Sequence, residues 1–253
     1  MLSKHLTNVV QNLEKRKFRE KYRLFKVEGE KLVEELSRSG LRIDTLIARP
    51  EWLEEESKRR PEGCTVVEVS GQEMARLSSF KSPPGVIALA EIPDDKEVSA
   101  PADALSVVLN GVQDPGNLGT ILRVCDWFDV RFVFCDRDCA GYLNPKSVQA
   151  SMGAIFRVNV AYVDLAGFIP AYASEEFPCY GTFLDGESIH ESELGQRGFI
   201  VMGNEGGGIS AEIERLVTRR LTIPRYSVAA ESLNVGVATG IVLSEFKRQQ
   251  NRI

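Results

Sequence analysis

The sequence predicts an α/β protein in two parts, a small α/β domain followed by a larger domain with a mostly parallel sheet. Two observations predict this arrangement. From residue 105 onward, short apolar runs alternate with glycine- or asparagine-rich loops and helical patterns, which is typical of parallel strands joined by helices. Residues 91–102 are acidic and contain prolines, as linkers often do. We therefore predict domains over residues 1–92 and 104–253, with a linker over 93–103.

Apolar spacing predicts the elements of the first domain. Helices are expected over residues 1–25, 30–39, 50–60 and 72–78, and strands over 25–29, 43–48, 64–69 and 86–90. Eight basic residues and two acidic ones lie between positions 1 and 26, a net charge of +6 in a chain whose total is −5. Such an asymmetry is typical of an arm that meets phosphates, and equally of a solvated basic helix face.

The second domain is expected to contain six strands, over residues 106–109, 132–135, 157–160, 179–183, 199–202 and 221–223. Helices are expected near residues 118–128, 146–153, 165–173 and 212–216, with a last helix that opens on Ser232 as its N-cap. That last helix contains Gly236 and Gly240, although glycine costs about 1 kcal/mol in a helix. A backbone or a ligand is therefore expected to approach it closely.

Composition narrows the class of protein. A hydrophobic content of 43% and a charged content of 26% are ordinary for a soluble globular protein. No apolar run is long enough to span a membrane, and the first residues lack a signal-peptide core. Five cysteines, an odd number without CxxC spacing, indicate reduced thiols in the cytoplasm rather than disulfides or a zinc site.

Three loops rich in glycine and asparagine follow predicted strands, over residues 114–119, 203–208 and 225–234. In open α/β sheets, ligands bind at such strand ends. None of these loops has dinucleotide or P-loop spacing, and neither of the two histidines lies in them. The loops instead offer an arginine, a glutamate, a serine and amides, which suit orientation and charge stabilisation around a cofactor with its own reactivity.

The same loops resemble the three motifs of a known family. They read N…DPGNLG…R over residues 110–123, IVMGNEG over 200–206 and IP…SLNV over 223–235. In order and spacing these resemble the motifs of the SpoU/TrmH family, S-adenosylmethionine-dependent RNA ribose 2′-O-methyltransferases with the SPOUT trefoil-knot fold. FKVEGEKLV at residues 25–33 and SPPGVIA at 82–88 resemble the N-terminal substrate-binding domain of that family.

The resemblance implies a fold, partners and a site. It implies a knotted second domain that uses S-adenosyl-L-methionine, an RNA-binding first domain and a homodimer. The separate first domain favours rRNA over tRNA, and neither a membrane nor a metal is implied. Threading of the C-terminal segment through the knot would explain the small residues of the last helix. The residues expected around the reaction are Asn117, Arg123, Glu205, Ser232 and Asn234, and those expected at the cofactor are Gly203, Ile223 and Leu233, with Thr182 and Leu184.

Each role has a plainer alternative. A guanidinium is a poor base, so Arg123 is expected to clamp a phosphate and stabilise the developing alkoxide, or else to form a surface ion pair with Asp126 or Asp129. Glu205 would orient Arg123 or a substrate hydroxyl, or else accept backbone amides. Asparagine at 117 suits fixing the loops or the ribose and suits a plain turn equally well.

The third loop departs from the family pattern. Relatives usually carry a methionine and a nearby glycine after the Ile-Pro pair, whereas residues 225–231 read RYSVAAE. Two rival functions stay open at this point. One is a base methyltransferase of the same superfamily, and the other is a non-catalytic RNA-binding or ribosome-assembly factor that retains the fold.

Overall fold

A computed structural model describes residues 2–55, 63–94, 98–227, 229 and 231–250. The chain divides into two units, Met1–Lys96 with Leu143–Phe156, and Glu97–Tyr142 with Arg157–Ile253. Residues 95–97 of the predicted linker lie outside the described residues. The boundaries predicted from composition stay a prediction.

The first unit is built around a four-stranded sheet. Its elements in chain order are α1 (Lys4–Asn12), α2 (Arg16–Tyr22), β1 (Leu24–Glu28), α3 (Glu30–Arg38), β2 (Ile43–Ala48), α4 (Pro50–Glu55), β3 (Thr65–Glu68), α5 (Gly71–Leu77) and β4 (Val86–Glu91). The strand order is β1-β4-β2-β3, with β4 antiparallel to both neighbours and β3 parallel to β2. The helix predicted over residues 50–60 is described only as far as Glu55, because positions 56–62 lie outside the described residues.

The single helix predicted over residues 1–25 is wrong. The chain leaves α1 after Asn12 and enters α2 at Arg16, with Lys15 in an extended conformation between them. Arg19 is buried and donates hydrogen bonds to the carbonyl oxygens of Leu13 and Glu14, at 2.9 and 3.0 Å. These carbonyls have left the helical ladder, so the buried guanidinium stabilises the break between the two helices.

Four of the eight basic residues between positions 1 and 26 are buried or paired with a carboxylate of the first unit. Arg19 and Lys26 are buried, Arg16 pairs with Glu20 at 2.7 Å, and Arg23 pairs with Asp94 at 2.8 Å. The other four, which are exposed, are Lys4, Lys15, Lys17 and Lys21. The surface available to phosphates is therefore smaller than the net charge of this segment indicates.

The second unit is built around a six-stranded sheet in which every neighbouring pair is parallel. The elements that follow β4 are β5 (Leu105–Leu109), α6 (Pro115–Trp127), β6 (Phe132–Cys135), α7 (Pro145–Ser151), β7 (Asn159–Tyr162), α8 (Leu165–Tyr172), β8 (Cys179–Ser188), β9 (Gly198–Met202), α9 (Ala211–Glu214), β10 (Arg219–Thr222) and α10 (Val235–Gln250). Of these, α7 belongs to the first unit. The strand order is β10-β8-β9-β5-β6-β7.

The predicted parallel α/β fold class is confirmed, and its central strands are buried along their whole length. Every residue of β5 and β9 is buried. Aromatic rings fill one side of this core, where Phe199 meets Phe177 edge-on with the ring centroids 5.0 Å apart.

None of the described helices is long and apolar enough to cross a membrane. The knot implied by the family resemblance stays a prediction.

The last helix begins later than predicted. Asn234, rather than Ser232, caps α10, because its Oδ1 accepts hydrogen bonds from the backbone amides of Gly236 and Val237 at 3.0 and 3.3 Å. Asparagine and serine cap helices about equally well, so the sequence did not separate them. The expected close approach is confirmed at Gly236, where an added Cβ would lie 2.9 Å from Thr120 Cγ2 on α6. The helices α6 and α10 therefore pack through a position where a larger side chain would clash.

A buried ion cluster in the first unit gives a test of its stability. Lys26 is 2% exposed, and its Nζ lies 2.6 Å from Glu28 Oε1 and 2.8 Å from Glu14 Oε1. Its Nζ also donates to Ser79 Oγ at 2.7 Å. Glu28 is buried as well and accepts from the Ser79 amide, so the cluster joins β1 to the segment after α5.

Replacing Lys26 by methionine leaves Glu28 buried without its cation, and should lower the free energy of unfolding by about 3 kcal/mol. The matched control is Lys15→Met, at an exposed lysine of the same unit. Urea unfolding of the full chain, followed by circular dichroism, measures both variants. Equal unfolding free energies for Lys26→Met and Lys15→Met would show that the cluster does not stabilise the unit.

Candidate active site

Three loops meet at one edge of the parallel sheet. The first leaves β5 and enters α6, the second leaves β9, and the third joins β10 to α10. Because β5, β8, β9 and β10 run in the same direction, their carboxyl ends lie at the same edge. Side chains from the three loops are therefore expected to touch, and three of them do.

A chain of side-chain hydrogen bonds joins the loops through Asn117. Asp114 caps α6 by accepting from the Asn117 amide at 2.8 Å, which fixes Asn117 in the first turn. Asn117 Nδ2 donates to Glu205 Oε1 at 2.5 Å, and its Oδ1 accepts from Asn234 Nδ2 at 2.8 Å. A carboxamide has one donating and one accepting end, so these two partners set the orientation of Asn117.

The second loop is held by Asn204. Its backbone N–H and C=O pair with those of Gly208 at 2.9 Å, and its Oδ1 accepts from the amides of Gly206 and Gly207. Its Nδ2 donates to the carbonyl oxygen of Gly111 at 2.7 Å, which ties this loop to the first one. These bonds present Glu205 as an exposed side chain on a constrained turn.

Gly203 needs to be glycine at the entrance of that turn. An added Cβ would lie 2.3 Å from the carbonyl carbon of Gly208 and 2.4 Å from the nitrogen of Ile209. Both are backbone atoms, which cannot swing aside as a flexible side chain can. The turn therefore closes on itself only because residue 203 has no side chain.

Sequence reasoning missed a second network at the same edge. Asn110 Nδ2 donates to Asp136 Oδ2 at 2.7 Å, and Asn110 Oδ1 accepts from the Ser210 amide at 2.7 Å. This side chain thereby links the ends of β5 and β6 to the segment after β9. The signal was present, since Asn110 and Asp136 each follow directly on a buried strand, and Asn204 comes two residues after one.

The structure does not join all five predicted reaction residues. Arg123 is exposed on α6, and both carboxylates proposed as its surface partners bind elsewhere: Asp126 pairs with Arg157 at 2.8 Å and Asp129 with Arg131 at 2.7 Å. Within the described residues, neither Arg123 nor Ser232 is linked to the Asn117 chain by a hydrogen bond. Both lie on segments that carry members of that chain, Arg123 on the helix of Asn117 and Ser232 two residues before Asn234.

The predicted cofactor residues lie within β8 or in the segments that follow β9 and β10. Thr182 Oγ1 donates to the carbonyl oxygen of Val201 at 3.0 Å, which places it next to β9. Gly203 follows β9 and Ile223 follows β10. Two of the leucines are exposed to solvent: Leu184 is 78% exposed and Leu233 is 49% exposed. Positions 228 and 230 of the divergent third loop lie outside the described residues.

Family models match both parts of the chain. Residues 104–244 match the SpoU rRNA Methylase family, and this match covers more than half of the 253 residues. The chain belongs to the SpoU rRNA methylase family. Residues 8–88 match the MRM3-like substrate binding domain, so this member carries the substrate-binding domain in front of the methylase domain.

Relatives of this SpoU methylase cover nearly its whole length. The 23S rRNA (guanosine(2553)-2'-O)-methyltransferase RlmP of Bacillus subtilis is 28% identical over 91% of each chain. A TrmH-family structure from Porphyromonas gingivalis superposes with a TM-score of 0.89, is 37% identical, and covers 98% of this chain and 99% of its own. The AdoMet-bound rRNA methyltransferase of Sinorhizobium meliloti superposes with a TM-score of 0.83 at 26% identity, over 98% and 96% of the two chains.

These findings confirm the predicted family and the predicted class of enzyme, an S-adenosylmethionine-dependent RNA ribose 2′-O-methyltransferase. They favour this class over the non-catalytic alternative. The two exposed leucines among the predicted cofactor residues fit the cofactor, because exposed apolar side chains suit an adenine ring. The described residues contain no group of three or more His, Cys, Asp or Glu side chains that could hold a metal ion.

The cysteines, all within the described residues, are free thiols. Burial raises the pKa of Cys179 to about 12 and raises the pKa of Cys125 further. Both thiols therefore stay protonated and poorly nucleophilic, which agrees with a packing role.

The Asn117 hydrogen bonds predict the effect of one isosteric change. Replacing Asn117 by aspartate removes the donor to Glu205 and sets two carboxylates against each other, which should displace Glu205. We expect methyl transfer to fall by roughly 100-fold, as misplacement of a reacting group commonly causes. Transfer of radiolabelled methyl groups to RNA from cells that lack the gene measures this. Asn159→Asp is the control, at an exposed asparagine of the same unit, and equal losses in both variants would refute the role of Asn117.

Proposed function

We propose that this protein methylates a ribose 2′-hydroxyl of ribosomal RNA, with Glu205 and Arg123 acting on the substrate and Asn117 and Asn234 holding the loops in place. The hydrogen-bonded chain from Glu205 through Asn117 to Asn234 is the observation that supports this most directly, because it assembles one site from all three family motifs. The rRNA substrate is supported by the family and by the Bacillus subtilis relative that acts on 23S rRNA.

Residues within β8 and in the segments after β9 and β10 would hold the cofactor. Leu184 and Leu233 offer exposed apolar surface to the adenosine, and Ile223 lies between them in the chain, half-buried. Gly203 would set the shape of the turn beside the ligand, because that turn closes only around a residue without a side chain, and the Thr182 hydroxyl is held by its hydrogen bond to β9. When bound, S-adenosylmethionine supplies an electrophilic methyl group. The protein's own residues have to bring the ribose hydroxyl to it in a nucleophilic form.

Glu205 would receive the hydroxyl. Its Oε1 accepts from Asn117, which fixes the carboxylate plane, while the side chain is otherwise exposed. Its second oxygen would accept a hydrogen bond from the 2′-hydroxyl and then take its proton as the oxygen becomes nucleophilic. Asn117 acts through Glu205 and is a positioning residue in this scheme, as is Asn234, whose Nδ2 holds Asn117 while its Oδ1 caps α10. Ser232, exposed at the entrance to this segment, would contact the ribose.

Arg123 would bind the substrate's backbone. A guanidinium keeps its proton in proteins, so it serves as a clamp and not as a base. Holding a phosphate next to the reacting ribose would fix the nucleotide, and the same positive charge would stabilise the oxygen as it loses its proton. The absence of a described ion pair to Asp126 or Asp129 supports this assignment, since the side chain is available to a ligand.

The first unit would bind the RNA outside the methylation site. Its match to a substrate binding domain supports this, together with the exposed lysines of α1, α2 and their junction. A separate binding domain favours a structured rRNA over a tRNA loop.

Location in the cytoplasm stays a prediction, and it rests on the reduced cysteines.

A second copy of the chain would cover the outer face of α6 and α10. Trp127 on α6 is 83% exposed and Val237 on α10 is 52% exposed, on two helices packed against each other. Exposed tryptophan is unusual on a monomer and common in interfaces. The family resemblance implies a homodimer, so we take a second copy of the chain as the partner that covers this surface.

Arg123 can be tested without disturbing the fold, because its side chain is exposed. Arg123→Ala should lower kcat/KM for RNA by about 100-fold, the loss typical of one charge-stabilising group, and leave cofactor affinity unchanged. Arg123→Lys should recover part of the activity because it keeps the charge but not the planar fork. Arg131→Ala is the control on the same unit. Activity of Arg123→Ala within a few-fold of wild type would remove this residue from the mechanism.

The dimer face can be tested by charge. Trp127→Glu places a carboxylate on the apolar face and should convert the dimer to a monomer in sedimentation equilibrium. Val98→Glu adds the same charge at another exposed apolar residue of this unit and should leave the dimer intact. A monomeric wild type, or a Trp127→Glu variant that stays dimeric, would contradict the assignment of this face.

A further inference from the structure

The pairing between β8 and β10 breaks at one place. Arg220 of β10 pairs with Gly181, and the next residue, Leu221, pairs with Glu187. Residues 182–186 are therefore looped out of the β10 ladder, and we name them the β8 bulge. Two of the residues proposed to touch the cofactor, Thr182 and Leu184, lie in this bulge. Its position thus decides where their atoms meet the ligand.

One side chain reaches both sides of the bulge tip. The guanidinium carbon of Arg220 lies 3.7 Å from the centroid of the Phe183 ring, and Arg220 Nη2 lies 2.8 Å from Asp185 Oδ1. These two contacts flank Leu184 in the chain. Arg220 Nη1 also lies 2.5 Å from Glu214 Oε1 on α9, so the guanidinium joins the bulge to a neighbouring helix. A planar guanidinium can stack and form two directed ion pairs at once, which lysine cannot.

Gly181 also lies close to the Phe183 ring. An added Cβ at Gly181 would lie 2.6 Å from Phe183 Cε2 and 2.7 Å from Val217 Cγ2, so the ring packs at a position where a larger residue would clash. At the end of the bulge, an added Cβ at Gly186 would lie 2.9 Å from the backbone carbon of Leu221. Gly181 thus permits close packing around the Phe183 ring, and Gly186 permits close packing of the bulge against β10.

Backbone anchors for the bulge come from two threonines. Thr182 Oγ1 donates to the Val201 carbonyl, and Thr222 Oγ1 donates to the Leu184 carbonyl at 3.3 Å. The second of these is long for such a bond, and Leu184 itself is 78% exposed. The side-chain contacts of Arg220 therefore add to these anchors at the bulge tip.

We propose that Arg220 is a positioning residue for S-adenosylmethionine, which holds the β8 bulge in the shape that the cofactor binds. The inference rests on the proposed contacts of Thr182 and Leu184 with the cofactor. Ion pairs as exposed as those of Arg220 with Asp185 and Glu214 contribute little to stability, so the contribution of Arg220 should appear in ligand affinity. A bulge that is already ordered does not lose conformational freedom when the cofactor binds.

Titration calorimetry of the full-length protein with S-adenosylmethionine tests this. Arg220→Ala should weaken the Kd for the cofactor by about 10-fold, the loss expected when a binding segment must be ordered by its ligand. At saturating cofactor, kcat and the KM for RNA should stay within about 3-fold of wild type, since Arg220 touches neither substrate. The melting temperature should change little.

Two further variants complete the test. Arg219→Ala is the matched control, since Arg219 is the preceding residue of the same strand and donates to the Glu193 carbonyl instead. It should bind the cofactor like the wild type. Arg220→Lys keeps the charge without the stacked fork and should give an intermediate Kd at an unchanged melting temperature. This variant decides the question if Arg220→Ala fails to fold.

The outcomes separate this inference from the proposed function. Wild-type affinity in both Arg220 variants, with the wild type itself binding the cofactor, overturns the positioning role and leaves the proposed function standing. Equal weakening in Arg219→Ala and Arg220→Ala also overturns it, because a general disturbance of β10 would then explain the loss. A wild type that binds no S-adenosylmethionine at millimolar concentration overturns the proposed function together with this inference.

Discussion

The carboxamide of Asn117 is the interaction on which the site depends. It binds a carboxylate from the loop after β9 with one end and the cap of α10 with the other. The three loops are far apart in sequence and have no regular backbone pairing with one another in the described residues beyond their strands. A single oriented amide therefore links the position of Glu205 to the start of the last helix. Anything that moves α10 is expected to move the reacting groups.

Other polar side chains at this edge of the sheet also hold the three loops in place. Asn110 and Asn204 satisfy backbone amides and carbonyls that have left their strands, which would otherwise be unpaired. Gly203 and Gly236 allow backbone and helix to approach more closely than any side chain would permit. The exposed side chains of Glu205 and the two leucines therefore extend from a constrained backbone. This agrees with catalysis by orientation around a cofactor that carries its own reactivity.

The local sequence predicted many of the helices and strands. The strands predicted over residues 43–48 and 132–135 became β2 and β6 without a shift. For β6 the reason is that a buried parallel strand is a short unbroken apolar run. The start of α10 was missed because the choice of Asn234 over Ser232 is a tertiary one: Asn234 also binds Asn117, 117 residues away. The charge count at the N-terminus overstated the phosphate-binding surface because burial of Arg19 and Lys26 depends on contacts that the sequence does not display. Motif resemblance named the site residues, and only the folded chain could show which of them touch.

The most direct measurement is a map of ribose 2′-O-methylation across the cellular RNA of three strains: wild type, one without the gene, and one in which Glu205→Gln replaces the native residue. Glutamine keeps the shape of Glu205 and an oxygen for Asn117 but is a far weaker proton acceptor than the carboxylate. The account predicts that a site in ribosomal RNA is methylated in the wild type, unmethylated without the gene, and unmethylated or nearly so with Glu205→Gln. Unchanged rRNA methylation in the strain without the gene, or full methylation with Glu205→Gln, would contradict it.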